Sequence, residues 1–95
     1  MSDEDIAVGV RIHGRVQGVW YRGWTVEQAQ RRGLRGWVRN RRDGSVEALF
    51  IGGPASVDEM IEACRRGPSA ARVSNVHRSP AMDDGSAGFR QCASE

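Results

Sequence analysis

The chain has 95 residues, enough for one domain with a hydrophobic core but too few for two. Its 14 basic residues are all arginines and face 12 acidic residues, so the formal net charge of +2 is too small to indicate nucleic-acid binding. No apolar run is long enough to span a membrane. The acidic start, residues 1–5, lacks the features of a signal peptide, so we expect a disordered tail there and a cytoplasmic protein.

The two cysteines are expected to remain thiols. Val57, Met60, Ile61 and Cys64 recur at helical spacing, which predicts that Cys64 lies on the buried stripe of a helix. Cys92 lies in a poorly patterned segment. Neither cysteine has the spacing of a metal or redox motif, so we expect no metal site.

The first half of the chain predicts a strand, a loop and a helix. Apolar and polar residues alternate from Val8 to His13, which is typical of a half-buried strand. The stretch Gly14–Arg22 then leads to a predicted helix over Gly23–Arg32. Val26 and Ala29 would face inward, and Gly33 would end the helix.

A hairpin and a second helix follow. Strands are predicted over residues 34–40 and 45–51, joined by the turn signal Asp43-Gly44. The second helix is expected to start at Ser56, as an N-cap that forms a capping box with Glu59. Arginines and Gly67-Pro68 should end it.

The last segment predicts one strand and part of another. Residues 71–79 read as a strand with a bulge or bend, because Val73 and Val76 break strict alternation. Residues 80–88 are expected to form a loop. Residues 89–93 are expected to add a short fifth strand, so the sheet would have four or five strands.

This order predicts an α+β fold, the ferredoxin-like βαββαβ sandwich. We expect a single domain over residues 6–93, with an antiparallel-rich sheet and two helices on one face. The first and third strands should lie side by side in the centre of the sheet and run parallel, and the other face should be open. Because this fold supports enzymes, RNA binders and regulators, it does not by itself indicate a function.

The stretch "GRVQGVWYR", Gly14–Arg22, is the candidate site. A glycine-containing loop that enters a helix can turn several backbone N–H groups toward one centre and so bind an anion. Arg22 could add a two-pronged contact to a phosphate. The stretch is neither a P-loop nor a dinucleotide-binding turn. The residues alone leave open whether it binds an anion or only turns the chain.

Two segments of the chain resemble the acylphosphatases, small enzymes that hydrolyse the carboxyl–phosphate bond of acyl phosphates. "GRVQGVWYR" resembles the family's phosphate-binding signature, and "GWVRNRRDGSVEALFIG", Gly36–Gly52, resembles its strand–hairpin–strand signature. "RRGPSAARV" also fits the family, so the likeness extends from about Val8 to Val76. Trp20-Tyr21 departs from the commoner smaller residue and Phe, and "FRQCASE" is a weak version of the family's last strand.

The resemblance implies catalytic roles for Arg22 and Asn40. Arg22 would bind phosphate, and Asn40 would position the nucleophilic water without a metal or cofactor. His13 is not expected to act as a base. The backbone that would form the phosphate cradle comprises Arg15, Val16, Gln17, Gly18, Val19, Trp20 and Tyr21.

The resemblance implies an enzyme whose partner is a small acyl phosphate, with inorganic phosphate as product and competitive inhibitor, and we expect it to be a monomer. No nucleic acid or membrane is expected as a partner. Two alternatives are an RNA-binding module, which would need aromatic residues on its central strands, and a non-catalytic phosphate sensor. A carbamoyl-phosphate-handling domain of a larger maturation factor is also similar, but a chain of this length is expected to be the free-standing enzyme.

Overall fold

A computed structural model describes residues 4–95, so the first three residues of the expected acidic tail lie outside the described residues. The elements follow the predicted βαββαβ order with a short strand added at the end. They are β1 (Ile6–Arg15), α1 (Tyr21–Arg31), β2 (Arg35–Asn40), β3 (Val46–Gly52), α2 (Pro54–Arg66), β4 (Arg72–Pro80) and β5 (Phe89–Gln91).

The five strands form one mixed sheet in the order β4-β1-β3-β2-β5. The central position of β1 and β3 is as predicted, but their expected parallel direction is wrong, because they pair antiparallel from Ile6–Gly52 to Ile12–Val46. The crossover through α1 makes β2 run in the direction of β1, and the hairpin then reverses the chain into β3. The carboxyl ends of β1 and β2 therefore lie at the same end of the sheet.

Both helices pack on the face of the sheet that carries the core. Alternate residues of β1 and β3, such as Val10 and Phe50, are buried against this layer. From α2 the buried residues include Cys64, as its helical spacing predicts. From α1, Ala29 is fully buried and Val26 is partly buried. Within residues 4–95, neither helix is long and apolar enough to cross a membrane.

Both helices begin before their predicted starts. The predicted cap at Ser56 is wrong, because α2 begins at Pro54 with Gly53 as N-cap and has no side-chain cap. Proline suits this first position, since its fixed φ is helical and its missing N–H would have no partner there. The first helix begins at Tyr21 and ends at Arg31, with Arg32 as its C-cap and Gly33 at φ 67° directly after the cap.

The two edge strands of the sheet are β4 and β5. The pairing of β1 with β4 shifts register between His13 and Gly14, which confirms the irregularity predicted in the fourth strand. At the opposite edge, β5 pairs parallel with β2 from Gly36–Phe89 to Val38–Gln91. The loop over residues 81–88 must therefore cross the sheet to connect the two edges.

The outer face is partly covered rather than open as expected. Leu49 and Ile51 point away from the helices, yet both are buried. The crossing loop lies over this part of the face, where Arg35 Nη2 donates to Asp83 Oδ2 at 2.5 Å and Trp37 Nε1 donates to Asp84 Oδ2 at 3.1 Å. The predicted open face is thus restricted to the ends of the strands near the hairpin.

Candidate active site

The connection from β1 to α1 adopts an irregular backbone. Gly18 and Trp20 have positive φ values of 75° and 66°. Within residues 4–95, Trp20 is the one non-glycine residue with a positive φ. Trp20 is the N-cap of α1, whose first turn has no side-chain cap and no acidic residue. The first N–H groups of a helix have no partner within the helix and lie at the positive end of its dipole, and a loop of alternating backbone handedness is a geometry that can bind an anion.

Side-chain hydrogen bonds hold this loop against two other parts of the fold. Gln17 Nε2 donates to the carbonyl oxygens of Arg41 at 2.7 Å and Ser45 at 2.8 Å, both in the β2–β3 hairpin. Tyr21 Oη donates to the carbonyl oxygen of Cys64 in α2 at 2.6 Å. Burial is the main cause that raises the pKa of Tyr21, so the hydroxyl keeps its proton. The loop is therefore fixed in position before any ligand binds.

A small cavity of about 130 Å³ lies at the end of the sheet where β1 and β2 finish. Arg22 reaches it from the first turn of α1, and Asn40 reaches it from the end of β2. Asn40 lies opposite Val46 on the helix side of the sheet, which places it beside the start of α1. The residues that line the cavity are Val16, Gly18, Trp20, Tyr21, Arg22, Gly23, Asn40 and Gln91.

Three residues of the predicted cradle do not line this cavity. Arg15 is exposed at the end of β1, and the Gln17 side chain points to the hairpin. Val19 packs against the core. The backbone of Gln17 and Val19 still belongs to the loop, and Arg15 directly precedes it as the last residue of β1, so the proposed contribution of these residues is limited to N–H groups and to support of the loop.

Asn40 carries an unusual polar atom. Its Oδ1 is the one buried side-chain oxygen or nitrogen within residues 4–95 that has no hydrogen-bond partner. Such an atom is costly in a native structure and often marks a functional site. The Asn40 backbone is held, because its carbonyl oxygen accepts a bond from Glu95 N at 2.9 Å. The backbone of Asn40 is therefore held at the end of β2, and its side-chain Oδ1 has no partner within residues 4–95.

The charges around the site leave Arg22 free, since it forms no ion pair with a described residue. The nearby carboxylate of Glu47 is engaged on the other face of the sheet by Arg11, Arg39 and Arg41. Among residues 4–95, no three His, Cys, Asp or Glu side chains come together as metal ligands would. A phosphate in the cavity would thus meet a cation without a competing carboxylate.

Other candidate positions lie away from this cavity. His13 lines a separate cavity on the outer face together with His77 and Asn75, so the structure does not bring it to Arg22. A larger cavity of about 570 Å³ lies between the start of β1 and the end of β4, but it contains none of the predicted site residues. Volume alone therefore does not identify the site.

Two residues of the cavity were not predicted from the sequence. Gln91 approaches from β5, which pairs with β2 and brings Gln91 beside Val38. Gly23 follows Arg22 in α1. Because Gly23 directly follows the motif Gly14–Arg22, the sequence could have predicted that it lies at the site. Nothing in the weakly patterned segment around Gln91 indicated that Gln91 would lie near Asn40.

Comparison with known proteins gives sequence matches over most of the chain, including the segments that contain the two motifs. The acylphosphatase family model matches residues 8–91. An acylphosphatase of Rhodospirillum rubrum is 58% identical over 82 residues, which are 86% of this chain and 90% of that protein.

Two solved structures share the fold closely. The acylphosphatase of Coxiella burnetii superposes with a TM-score of 0.90 at 30% identity, covering 97% of this chain and 100% of the other. That of Bacillus subtilis gives 0.88 at 31% identity, covering 92% and 98%. With the sequence match extending over nearly the whole fold, including the loop and strand that form the cavity, the chain belongs to the acylphosphatase family.

Proposed function

We propose that this chain hydrolyses acyl phosphates to a carboxylate and inorganic phosphate in the cavity between Arg22 and Asn40. One observation carries the assignment of roles. The Arg22 guanidinium, from the first turn of α1, and the buried Asn40 Oδ1, from the end of β2, line the same 130 Å³ cavity, and neither is paired within residues 4–95. The first group suits a phosphate, and the second suits a water molecule.

The phosphoryl group would lie in the backbone cradle formed by residues 15–21. N–H groups of the loop and of the first turn of α1 would stabilise charge on its oxygens, and the Arg22 guanidinium would bind two of them. Phosphoryl transfer depends mainly on positioning and on charge stabilisation. The hydrogen bonds of Gln17 and Tyr21 support this role because they fix the cradle in advance.

Asn40 would hold the attacking water through its free Oδ1. The water oxygen forms a bond to phosphorus as the bond from phosphorus to the acyl oxygen breaks. The electron pair of that bond leaves with the carboxylate, and a proton of the water passes to the phosphate product or to solvent. A carboxylate is a weak base that leaves without being protonated, so the reaction needs no general acid.

The RNA-binding alternative loses its support in the structure. RNA-binding modules of this fold stack bases on aromatic residues of the exposed sheet face. Phe50, the one aromatic residue on the two central strands, is fully buried on the helix side and stacks on Phe89. The outward residues of β3 include the buried Leu49 and Ile51. A non-catalytic sensor is separated from the enzyme by measuring turnover.

Phosphate release from benzoyl phosphate and acetyl phosphate, measured in the presence of EDTA, tests the proposal. We expect turnover of both substrates, competitive inhibition by inorganic phosphate, and little release from simple phosphate monoesters, whose alkoxide leaving group would need an acid. Loss of turnover in EDTA that Mg²⁺ restores would contradict the roles given to the cradle and Arg22. Binding of phosphate without any turnover would instead identify a sensor.

We further propose a cytoplasmic monomer with one domain over residues 6–93. Both cysteines are free thiols, in keeping with a reducing compartment. Arg22 and Asn40, which carry the proposed roles, already meet in one cavity of a single chain, which supports a site that one copy completes. The family model falls within the proposed domain.

A further inference from the structure

Trp20 combines two unfavourable features at the edge of the cavity. Its backbone is left-handed, a region that residues with a Cβ avoid, and its side chain is 58% exposed. Within residues 4–95 the other exposed large hydrophobic residue is Met82, which lies in the loop that crosses the outer face. An exposed aromatic side chain held by a strained backbone is typical of a functional site.

The backbone of α1 provides a seat for the indole. A Cβ built on Gly23 would overlap the Trp20 indole at Nε1, so the ring lies directly on the glycine. Glycine also costs about 1 kcal/mol in a helix relative to alanine, and here its lack of a side chain leaves space for the ring. The indole is therefore placed at the mouth of the cavity by a specific contact.

The size of the cavity decides which part of the substrate meets this ring. Pockets that enclose whole organic ligands have volumes of about 300–1,000 Å³. At about 130 Å³, this cavity can enclose a phosphoryl group and a water but not a large acyl group as well. The acyl group must then extend to the mouth, where the exposed face of Trp20 lies.

We propose that Trp20 is a specificity-determining residue that binds the acyl group, so that the enzyme favours acyl phosphates with an aromatic or large apolar acyl group. This inference rests on the proposed function and adds its substrate class. The flat indole offers such a group an apolar surface and aromatic stacking, whereas an acetyl group is too small to cover it.

The test measures the ratio of kcat/KM for benzoyl phosphate to kcat/KM for acetyl phosphate. The intrinsic reactivities of the two substrates are the same for every variant, and a general loss of catalysis affects both, so a change in the ratio reports on acyl-group binding. We expect Trp20→Ala to lower the ratio about 3- to 10-fold, the scale of one aromatic contact. Trp20→Phe should stay within about 2-fold of wild type, since it keeps an aromatic face.

Gly23→Ala provides a second variant, because its methyl group displaces the indole without removing it while alanine favours the helix. It should lower the ratio in the same direction, and it decides the question if Trp20→Ala does not fold. Met82→Ala removes an exposed apolar side chain elsewhere and should leave the ratio unchanged.

An unchanged ratio in folded Trp20→Ala would overturn the role of Trp20, as would an equal fall in Met82→Ala. A wild-type enzyme that hydrolyses neither substrate would refute the proposed function itself, and this outcome is distinct from an unchanged ratio.

Discussion

Replacing Asn40 separates water positioning from phosphate binding. Its Oδ1 is buried without a partner among residues 4–95, and Arg22 reaches the cavity from a different element. If Asn40 holds the water, Asn40→Ala should lower kcat about 10²- to 10³-fold, which corresponds to about 2.7–4 kcal/mol of transition-state stabilisation. The inhibition constant of phosphate should change less than about 3-fold, because the amide does not bind the phosphate.

Asn40→Ala should also leave the free energy of unfolding unchanged or slightly higher. The substitution removes a buried acceptor that has no hydrogen bond to lose, so the usual cost of deleting one partner of a pair does not arise. Activity and stability would then change in opposite directions, which is expected where a site is built for function rather than for folding.

Asn40→Asp keeps the size of the side chain but adds a negative charge. A roughly spherical cavity of about 130 Å³ is only about 6 Å across, so the new carboxylate would lie within about that distance of the phosphate. At an effective dielectric constant of about 20, each pair of unit charges then repels by about 3 kcal/mol. Phosphate affinity should therefore fall by at least about 100-fold, and it should recover as the pH is lowered and the carboxyl group is protonated.

The assay measures kcat with benzoyl phosphate and the inhibition constant of inorganic phosphate for all variants in one buffer. Asn75 offers a matched control, since it is exposed on the outer face and its Ala and Asp variants should behave as wild type. If Asn40→Ala loses phosphate affinity in proportion to its rate, Asn40 is a phosphate ligand and the water-holding role is wrong.

Three further substitutions test the cradle and its supports. Arg22→Ala should lower kcat/KM about 10²- to 10³-fold, and Arg22→Lys should rescue little because a point charge lacks the two-pronged contact. Tyr21→Phe leaves the carbonyl of Cys64 unpaired, so urea unfolding should show a loss of about 1–3 kcal/mol. Hydrogen bonds from the Ser45 side chain and backbone lower the pKa of Asp43. Their stabilisation is present above the ordinary aspartate pKa and is lost as the pH falls through the lowered value, so the Tm advantage of wild type over Asp43→Asn should vanish in acid.

Each of these predictions has an outcome that would contradict it. Near-normal phosphate inhibition in both Arg22 variants would remove Arg22 from the site, and Arg31→Ala, at the exposed end of the same helix, is the matched control. An unchanged unfolding free energy in Tyr21→Phe would mean that the hydroxyl does not support the cradle. A Tm difference for Asp43→Asn that is the same at neutral and acid pH would show that the carboxylate charge is not involved.

The sequence was sufficient for those features that depend on neighbours along the chain. Alternation predicted the strands, helical spacing predicted the burial of Cys64, and Asp43-Gly44 predicted the hairpin, because each depends on a few consecutive residues. The resemblance brought Arg22 and Asn40 forward as candidates. The start of α2 was missed because Ser56 satisfied a capping pattern, while Pro54 could already begin the helix.

Only the tertiary structure decided what depends on distant segments. Arg22 and Asn40 line one cavity because β1 and β2 finish at the same end of the sheet. Gln91 lines it as well because β5 pairs with β2. The burial of Leu49 depends on a loop that must cross from one edge strand to the other. The sequence determined the local backbone of this protein, whereas the pairing order of its strands determined which side chains meet, since contacts between distant segments are set by packing rather than by local preference.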